Sequence, residues 1–232
     1  MEQQGMIGIQ WIIFIGVAVV SWLIQLNLQS KFKKYSKIAI AGGYTGGDVA
    51  LKMLHDNGIY DVQVTHVHGH LTDHYNPTNR TVNLSDGVYQ SNSVMAAAVA
   101  AHECGHAVQH AQAYAPLTLR SKLVPVVSFA SQWMTWLLLA GILLLESFPG
   151  LLLAGIILFA MTTLFSFITL PVEINASKRA LVWLNRSGIT NAYNHAQAED
   201  ALRSAAYTYV VAALGSLATL IYYIMIFLGR RD

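Results

Sequence analysis

Leu151 to Leu170 reads LLLAGIILFAMTTLFSFITL, twenty residues without one Asp, Glu, Lys or Arg. A bilayer's hydrocarbon layer needs about 20 apolar residues to be crossed by an α-helix, so this stretch predicts a transmembrane span. Three more segments share its length and character: Met6 to Leu28, Val124 to Leu145 and Ala205 to Leu228. Any one of them alone could be a buried helix of a soluble domain; four together predict a membrane protein. The composition agrees. Of 232 residues 54% are hydrophobic and only 11% charged, against about 25% charged in an ordinary soluble domain.

The other bounds are quickly set. The net charge of +2, with no basic stripe interleaved with aromatics, gives no footprint for nucleic acid. A single cysteine, Cys104, excludes an intramolecular disulfide. Met1-Glu2-Gln3-Gln4 carries no positive charge and no small-residue cleavage site follows the first span, so an uncleaved anchor is expected rather than a signal peptide. Lys31, Lys33, Lys34, Lys37, Arg120, Lys122, Lys178, Arg179, Arg186 and Arg203 all fall on one side of a four-span chain. The positive-inside rule makes that side the cytoplasm. Arg230 and Arg231 would lie opposite, against that trend.

The expected layout is one integral-membrane domain, residues 1–232, mainly α. Its spans run about 6–28, 124–145, 151–170 and 205–228, with polar cytoplasmic parts at about 29–123 and 171–204. The first polar part reads as a small α+β region. Thr45 or Asp48 can start a helix through Asp56, which Asn57-Gly58 would end. Tyr60 to Leu71 alternates enough to predict a strand, Asn76-Pro77-Thr78-Asn79 is a turn, and Arg80 to Leu84 is a short β-branched run. Ser91 to Ala113 predicts a long Ala-rich helix capped by Asn92 or Ser93. In the second part, Glu173 to Leu184 reads as a further helix.

The long helix carries His102-Glu103-Cys104-Gly105-His106, an H-E-x-x-H motif. Residues four apart lie on one helix face, about 40° apart around the axis, so two imidazoles can share one Zn²⁺. Glu103 is offset from that pair, placed to take a proton from water without ligating. A catalytic zinc site uses a third protein ligand. His110 is poorly placed for it, lying about 12 Å along the axis from His102 at 1.5 Å per residue, with Gln rather than a helix-breaking Gly at position 109. Glu173, at the start of the second polar part, is the better candidate; Glu199 and Asp200 are its rivals. Zinc rather than another divalent ion follows from the ligand types.

His66, His68 and His70 alternate, which on a strand puts them on one face. That invites a second metal site, but the expected reading is a solvated strand face, with any metal bound there adventitious. Cys104 points about 200° around the helix from His102 at about 100° per residue, and reads as packing. Trp133, Trp136, Tyr222 and Tyr223 read as interfacial or bundle-packing aromatics.

Taken together, several segments resemble the YugP-like neutral zinc metallopeptidases, a family of bacterial membrane proteins. They are Gly46-Gly47-Asp48-Val49-Ala50, Leu71-Thr72-Asp73-His74-Tyr75, Leu84-Ser85, Val99-Ala100-Ala101-His102-Glu103 and Gly105-His106-Ala107. Leu170-Pro171-Val172-Glu173, Ala176-Ser177 and Thr208-Tyr209-Val210 continue the match over nearly the whole chain. The resemblance implies a membrane-embedded, zinc-dependent endopeptidase that hydrolyses peptide bonds with a zinc-activated water, Glu103 being the general base. It raises Glu173 to the preferred third ligand beside His102 and His106. It also implies oxyanion or outer hydrogen-bonding roles for Asp73 and His74. Where the family usually has Asp, this chain has Asn175, which would orient a ligand as an amide. A more distant likeness to HtpX-type and CaaX-processing gluzincins implies an edge strand before the zinc helix that holds substrate extended, with Arg80 to Leu84 in that place. The expected partners are a peptide or membrane-associated protein substrate and the lipid bilayer, with an accessory protein left open.

Two other classes compete. A structural zinc scaffold would close its shell with four ligands, often Cys, and would have no use for Glu103. A transporter or channel tends to carry ionisable residues inside its spans, and these spans have none.

Overall fold

A computed structural model describes the backbone of residues 2–229 and the side chains from residue 14 to 229. Met1, Arg230 and Arg231 lie outside the described residues. Seven α-helices, one 3₁₀ turn and three short strands make up the described chain. In order they are α1 (Glu2–Tyr35), the 3₁₀ turn Ala41–Gly43, α2 (Gly46–Asp56), β1 (Gln63–Val67), β2 (His74–Asn76), β3 (Thr81–Ser85) and α3 (Asp86–Tyr89). Then come α4 (Val94–Ala111), α5 (Ala115–Leu143), α6 (Pro149–Arg186) and α7 (His195–Gly229). The chain separates into two compact units.

One unit contains Leu119–Leu170 together with the segments up to Leu23 and from Thr208 onward. The helices α5, α6 and α7 are each long and apolar enough to cross a membrane. α6 and α7 contain the expected spans from 151 and 205, and α5 contains all but the last two residues of the one from 124. The first expected span lies in α1, whose side chains are described only from Phe14 on. Within this unit Leu138, Leu152 and Ile156 form a small core. A Cβ at Gly141 would stand 2.4 Å from the backbone of Leu152, so only glycine permits that approach of α5 to α6. The hydroxyls of Thr163 and Ser216 share a hydrogen bond of 2.6 Å, as membrane helices commonly do with their few polar side chains. Phe129, Trp133, Trp136 and Leu164 are exposed; this much uncovered apolar surface fits a lipid environment.

The other unit contains Ile24–Thr118 and Pro171–Tyr207. Its local structure follows the sequence closely at helix ends. Thr45 caps α2 in a reciprocal capping box with Asp48, and Gly58 takes φ +71° just beyond its end. Ser93 caps α4, its hydroxyl accepting from the Ala96 N–H, so the helix starts at Val94. It ends at Ala111, short of Ala113, which has φ +49°. Fourteen of the 18 residues of α4 are buried. A helix enclosed on nearly all sides needs small side chains, and Ala96, Ala97, Ala98, Ala100 and Ala101 supply them.

The sheet is the main departure from expectation. Its order is β1-β3-β2, with β1 and β3 parallel and β2 and β3 antiparallel. The predicted strand Tyr60 to Leu71 shrinks to Gln63–Val67, because Gly69 (φ +123°) and Leu71 (φ +58°) turn the chain. His70 leaves the strand face and packs on the Phe32 ring, centroids 4.9 Å apart. The Arg80 to Leu84 run becomes β3, but as the central strand and not an edge: β1 and β2 occupy its two sides. The edge nearest the H-E-x-x-H helix is β2, three residues that the sequence pattern did not mark. In α6, the expected span from 151 and the expected helix from Glu173 merge into one helix of 38 residues that passes through Pro171. Proline costs such a helix one backbone hydrogen bond without ending it.

Candidate metal centre

The H-E-x-x-H spacing works as helix geometry requires. His102 and His106 lie one turn apart on α4 with ring centroids 4.8 Å apart and planes at 86°. From α6, Glu173 projects its carboxylate between them. Its Oε2 is 3.3 Å from His102 Nε2 and 3.5 Å from His106 Nε2. Two donors about 2.0–2.1 Å from a tetrahedral Zn²⁺ stand roughly 3.3–3.4 Å apart, so these separations suit one ion. The two helices approach closely because residue 105 is glycine: a Cβ there would lie 2.6 Å from the Ala176 carbonyl oxygen.

The chemistry of the donors agrees. Glu173 is only 3% exposed. Burial alone would raise its pKa, but hydrogen bonds and positive charge from His102 and His106 hold it far below the usual carboxylate range. For His106 burial lowers the pKa, yet hydrogen bonding to Glu173 and the Glu103 and Glu173 charges outweigh it and leave the net shift upward. A buried cluster that concentrates negative charge beside two imidazoles is matched to a cation.

Both rings are also held from behind. His106 Nδ1 is 3.1 Å from Gln109 Oε1. Gln109 is fully buried, and its Nε2 donates to the Val172 carbonyl at 2.8 Å and to Asn175 Oδ1 at 3.0 Å. The amide must therefore present its oxygen to His106, which places the imidazole proton on Nδ1 and frees Nε2 to ligate. His102 Nδ1 is 3.0 Å from the Ser177 hydroxyl. Asn175 Oδ1 also accepts from Arg179 Nε at 2.7 Å, and Arg179 continues to Gln112 Oε1. Asn175 thus reaches His106 through Gln109, as an amide in a chain of amides. Neither Gln109 nor Ser177 was singled out for this role from the sequence. Their signal was positional: Gln109 lies three residues after His106, and Ser177 four after Glu173, on shared helix faces.

Glu103 lies beside the group without joining it. Its Oε2 accepts the backbone N–H of Tyr75, on β2, at 3.0 Å. Asp73 accepts from both the N–H and the hydroxyl of Ser85, fixing the start of β2 against β3. His74 turns Nδ1 to the Thr72 carbonyl and Nε2 toward the Asn83 amide. His110 pairs with the Tyr75 hydroxyl at 2.7 Å and stands outside the three-donor group. Cys104 is buried, its Sγ 3.5 Å from the Ala50 carbonyl, and acts in packing. Glu199 pairs with Arg203. Asp200, the other rival to Glu173, is held by Lys31 and by the Tyr35 hydroxyl.

Two imidazoles and a carboxylate that can hold a metal, with a second glutamate beside them on the H-E-x-x-H helix, define the zinc peptidase class of site. The chain belongs to the family described as "Putative neutral zinc metallopeptidase", whose sequence profile matches residues 10–228. It is 46% identical over 222 residues to a Bacillus subtilis (strain 168) protein named "Putative membrane protease YugP", covering 95% of this chain and 98% of that one. No solved structure matches it.

Proposed function

We propose that this chain is a membrane-embedded endopeptidase in which His102, His106 and Glu173 hold one Zn²⁺ and Glu103 is the general base. The observation that carries the reading is the convergence of three donor atoms from two helices at zinc-like separations. We further place the whole chain in one integral-membrane domain with the site on the cytoplasmic side, where the basic residues cluster.

A bound Zn²⁺ would supply Lewis acidity, polarising water and the scissile carbonyl. The protein does the rest. Gln109 and Ser177 hold the imidazoles by their far nitrogens, so both Nε2 atoms point at one place. Glu103 takes a proton from the attacking water and returns it to the leaving amine. The Tyr75 N–H, bonded to Glu103 Oε2, leaves the other carboxylate oxygen for this transfer. Asp73 is an acceptor at Ser85 and so positions β2 rather than donating to an oxyanion; His74, with Nδ1 on the Thr72 carbonyl and Nε2 facing the Asn83 amide, steadies the same segment. The substrate is a peptide or a protein, membrane-associated in keeping with the spans.

The test is metal content and peptide cleavage of the purified protein. About one zinc per chain should be lost in His102→Ala and Glu173→Ala and kept in Glu103→Gln, with cleavage absent from all three. Retention of zinc by Glu173→Ala would move the third ligand elsewhere. A wild-type protein free of zinc after chelator-free purification would sink the reading.

A further inference from the structure

Away from α4, three other donors converge on the opposite edge of the sheet. His66 Nε2 hydrogen-bonds Asp86 Oδ1 at 2.6 Å, a pair that would open to roughly 3.3 Å around a shared ion, and His68 Nδ1 lies 3.5 Å from the same oxygen. All three ligand atoms stand within 4.8 Å of one another. We propose that His66, His68 and Asp86 form a second binding site for a borderline divalent cation of the Zn²⁺ type.

The topology explains how they meet. β1 and β3 run parallel with Val67 opposite Ser85, so the ends of both strands emerge side by side. His66 and His68, two apart, share a face, and Asp86, the first residue after β3, falls beside them. The imidazole rings stand at 81° with centroids 5.2 Å apart, leaving their nitrogens room to turn to a common point. The carboxylate is also oriented. Gly69 donates its backbone N–H to Asp86 Oδ2 at 3.0 Å, which directs Oδ1 at the imidazoles. His70, third in the alternating series, takes no part because it is committed to Phe32.

The donor set decides the cation. Two imidazoles with one carboxylate suit Zn²⁺, Ni²⁺ or Cu²⁺, whereas Ca²⁺ and Mg²⁺ require oxygen-rich shells. The site is open: His68 is 92% exposed at its side chain, so water completes the coordination and binding is weaker than at a buried centre. It sits on the loop that leads from β1 into β2, the strand that touches Glu103. Occupancy would clamp that loop.

The experiment is a Zn²⁺ titration of the full-length protein by calorimetry in detergent, starting from metal-free samples, with Mg²⁺ as a control. Wild type should bind a second, weaker equivalent. His68→Ala and Asp86→Asn should weaken that equivalent by about tenfold or more while keeping the first. His102→Ala should do the reverse, so failure of the proposed catalytic centre and failure of this site are read separately. His68 is too exposed for its loss to unfold the chain. A second equivalent unchanged in both His68→Ala and Asp86→Asn, or a wild type that binds one zinc only, would overturn the proposal.

Discussion

The backbone N–H of Tyr75 donates to Glu103 Oε2 at 3.0 Å, tying the edge strand β2 directly to the glutamate of the H-E-x-x-H helix. Replacing Glu103 with Gln keeps an acceptor for that N–H and removes only the base. Cleavage should fall by about 10²–10⁴-fold or more, the usual contribution of a positioned general base, while zinc content and thermal stability stay at wild-type levels. A stability loss in Glu103→Gln would instead assign the residue a structural role.

Gly105→Ala separates two opposite effects. In an exposed helix interior the change would stabilise by about 1 kcal/mol. Here the new Cβ would meet the Ala176 carbonyl at 2.6 Å, and overpacking of this kind costs about 1–3 kcal/mol. The expected result is a lower melting temperature together with weaker zinc retention, since α4 carries the imidazoles and α6 the carboxylate.

Gln109→Leu keeps the volume but leaves His106 Nδ1–H and the Val172 carbonyl without their amide partner. Partners behind a ligating histidine are worth about 10–100-fold in metal affinity. Competition against a chromogenic chelator should show a loss of that size, with His102→Ala as the limit of complete loss.

The cluster of Lys31, Tyr35 and Asp200 sets an acid dependence. Asp200 is held below its ordinary value of 3.8, first by the Lys31 hydrogen bond and then by Tyr35; the same contact pushes the Tyr35 hydroxyl up to about 12. A depressed carboxylate stabilises the fold above its unfolded pKa, and that contribution disappears as the pH falls through the folded one. Asp200→Asn should therefore lower stability at pH 7, by no more than about 1 kcal/mol for a partly exposed pair. The gap from wild type should narrow below pH 4. A gap that is constant down to pH 2, followed by thermal unfolding, would remove the ionic explanation.

What the sequence disclosed and what it hid divide by range. The apolar stretches, the Thr45 and Ser93 caps and the H-E-x-x-H spacing are local patterns, each legible from residues within one or two turns, and each appears in the structure. Glu173 could be narrowed to a short set of carboxylates but not selected by spacing alone, because its approach to α4 depends on a contact between residues 71 positions apart. The sheet order was misread for a related reason. A β-branched run marks β3 as a strand, yet nothing within it says that β2, three residues long, and β1 will cover both its sides. Asp86 likewise carries no local sign that His66 and His68, twenty and eighteen positions earlier, will turn to it.

The near-complete enclosure of α4 has a bearing on how variants of this protein should be scored. Most of its positions leave no room for a larger side chain, so a saturation scan should return a dense block of non-functional alleles from 94 to 109, far wider than the three α4 residues proposed to serve the reaction. Most of that block would report failed insertion or degradation. Only where abundance is normal and turnover is absent, as expected at position 103, does loss of function speak about the reaction.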